Sequence, residues 1–140
     1  MEVKRNSRKG VTILEMIIAL TVITIISGIA LSMAMTAVEV ENKSQAGIEM
    51  TSRIESIVEC FQFSDEQGKF EELIKKLEES EDAFEAVTSD NDDISKVLVL
   101  DKGNYKIAVM MYKDFDKIEI NAYLLGDEDN IQTYTYYKGK

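Results

Sequence analysis

Glu15 stands at the head of a stretch in which no other charge occurs. From Met16 to Val38 the chain reads MIIALTVITIISGIALSMAMTAV, twenty-three residues without a charged side chain. A carboxylate at the edge of an apolar segment is costly unless an opposite charge or a set of donors meets it. Its chemistry is that of an ion in need of a partner. Just upstream lie Lys4, Arg5, Arg8 and Lys9, followed by Gly10 and Val11. Elsewhere, Asp90, Asp92 and Asp93, and again Asp127, Glu128 and Asp129, offer the oxygen ligands that calcium takes. A calcium-binding helix-loop-helix loop needs glycine at its sixth position and glutamate at its twelfth, and neither stretch supplies them. Both read as solvated loops, and no metal site is expected. Tyr134, Tyr136 and Tyr137 form an aromatic group, but alternation puts Tyr134 and Tyr136 on one face of a strand, the pattern of a half-buried sheet.

The remaining reactive groups are sparse. Cys60 is the one cysteine, so an intrachain disulfide is impossible, and its neighbours Ile57, Val58 and Phe61 mark it as a small buried hydrophobe. Histidine is absent, which removes histidine catalysis and histidine-ligated zinc. No nucleophile paired with a base, phosphate-binding glycine loop or pair of catalytic carboxylates emerges from the spacing. The sequence reads as that of a protein that is not an enzyme, with no catalytic residue and no cofactor.

What positions Glu15 is the segment behind it. The uncharged run exceeds the ~18 residues of a membrane span and covers roughly 35 Å at helical rise, enough for the hydrocarbon core. The basic cluster before it places the N-terminus on the cytoplasmic side and sends the rest out. A cleaved secretory signal would have a shorter apolar region and a small-residue cleavage site, and SMAMTAV fits that poorly. Helical periodicity continues beyond Val38. Met50, Ile54, Ile57, Val58 and Phe61 fall on one helix face, while Glu41, Lys43, Glu49, Arg53, Glu55 and Glu59 occupy the rest. With no proline in the chain, one helix is expected from about Thr12 to Phe61.

Four segments follow from these patterns: a basic leader (1–10), a transmembrane or core helix (11–38), the amphipathic half of that helix (39–61), and a globular head (62–140). In the head, Ser64 and Gln67 have capping-box spacing, and Phe70, Leu73, Ile74 and Leu77 recur at i, i+3, i+4 and i+7. A helix is expected over about 65–79, with Glu71–Lys75 and Glu72–Lys76 pairs along it. AFEAV (83–87) reads as an extension of that helix or a short turn. Strands are expected at about 96–100, 105–112, 117–125 and 131–137, joined as a four-stranded antiparallel meander. One apolar face of that sheet requires a cover, and the stripe on the long helix supplies it. The fold class is α+β.

Charge bounds the partners. The chain has a net charge of −10, but beyond Gly10 there are 12 basic and 25 acidic side chains, near −13. Such a surface repels phosphate backbones, so direct nucleic-acid binding is not expected.

With those residues in view, RKG-VTILEMIIALTVITIISGIAL resembles the N-terminus of type IV prepilins and pseudopilins. In that family a short basic leader ends in glycine, an apolar residue follows, and glutamate stands fifth after the cut. Gly10, Val11 and Glu15 match those positions, and Thr12 and Leu14 are family-like. The resemblance covers about the first 40 residues. It implies cleavage between Gly10 and Val11 by a prepilin peptidase, a membrane aspartyl enzyme, and methylation of the new amino group of Val11 by the same enzyme. It also implies membrane lipid, other pilin or pseudopilin subunits and an inner-membrane assembly platform as partners. The processed subunit would end in a pilus or pseudopilus at the cell surface, serving adhesion or motility, protein secretion or DNA uptake. In that setting Glu15 would pair with the amino group of Val11, in a neighbouring subunit or four residues away in its own helix.

Two departures shape the expectation. Ser32 stands where major pilins commonly carry a proline, and a single cysteine cannot close the disulfide-bounded region many of them have. A minor pilin or pseudopilin with a pilin-like head fits better than a main structural subunit. The alternative is a single-pass anchored binding module that never enters a filament.

Overall fold

The computed structural model describes residues 12–77 and 84–139. Helix α1 runs from Ile13 to Phe63 without interruption. The chain divides into two units between Glu41 and Asn42. In the first unit every described residue of α1 is exposed, as expected for a helix apolar all round that has no protein against it. By length and composition it is able to cross a membrane.

The second unit is built on the continuation of α1. Ala46, Met50, Ile54, Ile57 and Phe61 are buried, at spacings of four, four, three and four. That places them on one face, which adds Ala46 to the stripe expected from sequence. Val58 is half-buried beside it. A short helix, α2 (Gln67–Leu77), buries Phe70 and Ile74. Its Lys76 pairs with Glu72 at 2.7 Å. Glu71, expected to pair with Lys75, instead bonds Lys96 at 2.5 Å. That link ties α2 to the sheet.

Five strands follow among the described residues: β1 (Phe84–Val87), β2 (Ile94–Asp101), β3 (Tyr105–Tyr112), β4 (Lys117–Leu124) and β5 (Gln132–Tyr137). They form one sheet in the order β1-β2-β3-β4-β5, every neighbouring pair antiparallel. The α+β class stands, with a fifth strand where AFEAV was expected to be helix or turn. Its register, Phe84 opposite Leu100 through Val87 opposite Val97, gives the reason. Pairing with β2 decides the conformation of a four-residue segment too short to carry its own periodic signal.

Alternation sets the inner face. Leu98 and Leu100 of β2, Tyr105, Ile107, Val109 and Met111 of β3, and Ile118, Ile120 and Ala122 of β4 are all buried. Register stacks Val109 against Ile120 and Met111 against Ile118. The α1 stripe, α2 and this face form one core, and Tyr134 and Tyr136 pack half-buried at its margin.

Three aromatic rings lock helices to sheet. Phe61 of α1 lies edge-on to Phe115 in the β3–β4 turn (centroids 5.4 Å, 89°) and to Phe70 of α2 (6.0 Å, 76°), arrangements that aromatic quadrupoles favour. Phe115 takes φ 49° although it is not glycine. The cost of that left-handed backbone is offset by burial of its ring, 7 % exposed. Lys138 places its ammonium 4.1 Å from the Phe115 ring centroid, a cation–π contact that fixes the chain after β5. In the β2–β3 hairpin Gly103 has φ 80°, and its N–H donates to the Asp101 carboxylate at 2.9 Å.

Candidate functional site

The start of α1 is built by two residues holding each other. The Thr12 N–H donates to a carboxylate oxygen of Glu15 at 2.9 Å, and the Glu15 N–H donates to the Thr12 hydroxyl at 3.3 Å. The Thr12 carbonyl then accepts from Met16 at 3.1 Å, the first bond of the helix ladder. This is a reciprocal capping box, which satisfies two of the donors that every helix N-terminus leaves free. The carboxylate also sits at the positive end of the peptide dipoles. Glu15 thus has a second reason to be acidic, one the reading of its charge alone missed. The signal was present in sequence, since TILE has the spacing of a capping box.

The capping box expected at Ser64 and Gln67 does not form. The buried Ser64 hydroxyl donates back to the Cys60 carbonyl at 2.5 Å, and the Ser64 N–H donates to the Phe61 carbonyl at 3.3 Å. Ser64 therefore closes α1 rather than opening α2. Gln67 turns to Glu71 and Ser95 instead.

Behind Glu15 the apolar segment keeps its threonine hydroxyls occupied. Thr21 donates to the Ile17 carbonyl at 2.8 Å, Thr24 to Leu20 at 2.7 Å and Thr36 to Ser32 at 3.0 Å. Each bond removes the penalty of an unsatisfied hydroxyl in an apolar medium, roughly 1–3 kcal/mol. Gly10, Val11 and the cluster Lys4, Arg5, Arg8 and Lys9 lie outside the described residues, as does the Val11 side of the expected charge pair.

In the head, no group of three or more acidic or cysteine side chains with metal-holding geometry occurs among the described residues. Asp127, Glu128 and Asp129 are exposed on the β4–β5 turn, and Asp90, Asp92 and Asp93 on the loop before β2. Cys60 is half-buried, and burial, followed by the neighbouring Glu59 charge, pushes its thiol pKa up. That shift lowers the thiolate fraction and with it the reactivity.

The site and fold together define a protein class: a long helix with an apolar N-terminal half and a carboxylate at its first turn, leading into a small α+β head of pilin-like build. Residues 5–31 match the family model for the prokaryotic N-terminal methylation motif. That motif is the type IV prepilin-type signal, and it supports reading the chain as a pilin- or pseudopilin-like precursor. It points to a structural protein rather than an enzyme, and the apolar half of α1 fits a membrane-anchored one. Processing by a prepilin peptidase and assembly with other pilins follow from the signal in general terms. No curated protein and no solved structure matches the chain.

Proposed function

We propose that this protein is a minor pilin or pseudopilin of a type IV pilus-like filament. The leader 1–10 is removed between Gly10 and Val11 on the cytoplasmic face, and the new amino group of Val11 is methylated. The head lies outside the membrane, and the subunit passes from the bilayer into a filament through the apolar half of α1. An assembly platform in the membrane and other pilin subunits are its partners, and the filament serves adhesion or motility, protein secretion or DNA uptake.

One observation carries the reading: the methylation motif over residues 5–31 ends in a helix whose first turn holds Glu15. Cleavage creates an ammonium at Val11, and an isolated charge beside an apolar segment is costly. The Glu15 carboxylate is the acid placed to meet it, from the same helix before assembly or from a neighbour within the filament. In a dry core such a pair has few competitors and fixes axial register. The Thr12 N–H holds the carboxylate until then.

Mass spectrometry of the protein from its native host tests the processing step. The expected mass lacks residues 1–10 and carries one added methyl on Val11. An intact leader in native membranes refutes the proposal and leaves a plain anchor.

A further inference from the structure

We draw no further inference here: the strongest candidate, the apolar groove of about 500 Å³ between the second half of α1 and the β4–β5 side of the sheet, lined by Gly47, Ile48, Thr51, Leu124 and Gln132, carries nothing because nothing in the structure shows what covers it.

Discussion

Replacing Glu15 by glutamine separates two roles that the carboxylate holds at once. Glutamine serves at the third position of a capping box as glutamate does, so Glu15→Gln keeps an acceptor for the Thr12 N–H, now 2.9 Å away. It removes the charge proposed to meet the amino group of Val11. Thr12→Ala does the reverse, since it deletes the hydroxyl that accepts from Glu15 at 3.3 Å and leaves the carboxylate. Loss of an N-cap costs about 1 kcal/mol, roughly a fivefold effect. Leaving one ion of a buried pair without its partner costs about 3–5 kcal/mol, on the order of a hundredfold or more. The assay follows an epitope-tagged chain in sheared filaments by immunoblot, with the shift on leader removal as proof of insertion and cleavage. Expected is normal processing of both variants, near-normal incorporation of Thr12→Ala and severe loss of incorporation for Glu15→Gln. Equal incorporation of the two, or a stronger defect in Thr12→Ala, would refute the charge pair and leave Glu15 as a helix cap only.

Three further predictions concern the head. Phe61→Ala removes a fully buried ring in edge-on contact with two others and should lower unfolding free energy by about 3–5 kcal/mol in urea titrations followed by near-ultraviolet circular dichroism; a loss under about 1 kcal/mol would show that the aromatic lock is not central. The Asp101 carboxyl is held below its usual range by the hydrogen bond from Lys106 and then by the Gly103 N–H. A folded pKa below the unfolded one gives stability that is present above the ordinary carboxylate pKa and lost as pH falls through the folded value. Asp101→Asn should therefore lower the melting temperature slightly at neutral pH, and the difference from the parent chain should vanish in strong acid. Cys60, with its thiol pKa raised, should alkylate with iodoacetamide more slowly in the folded protein than in urea, and faster as pH rises; equal rates in both states would contradict its burial.

Much of the architecture was legible because period and burial coincide. The α1 stripe from Met50 to Phe61 and the alternation of Ile118, Ile120 and Ala122 each mark a face that has one place to go. Where the reading missed, a nonlocal partner decided. FEAV, the strand part of AFEAV, has no period to display in four residues, and Leu100 opposite Phe84 makes it a strand. The two capping-box signatures are the more instructive pair. TILE forms one because Thr12 stands directly before Ile13, the first residue of α1. SDEQ does not, because Ser64 is buried directly after α1, where the Cys60 carbonyl has no helical donor left and takes its hydroxyl. Identical spacing yields opposite outcomes according to which helix end stands nearer.

The threonines of the apolar segment have a consequence for a helix proposed to change surroundings. Thr21, Thr24 and Thr36 carry donors whose acceptors lie four residues back in the same rod. Such satisfaction is portable. If neighbours exchange from acyl chains to other helices, none of these three hydroxyls has to find a new acceptor, and the outward methyl groups meet either medium by dispersion alone. At these three positions transfer then has little enthalpic memory of where the helix came from, and directional bonds that distinguish one position from the next fall to the other polar groups, Glu15 at the segment's start first among them.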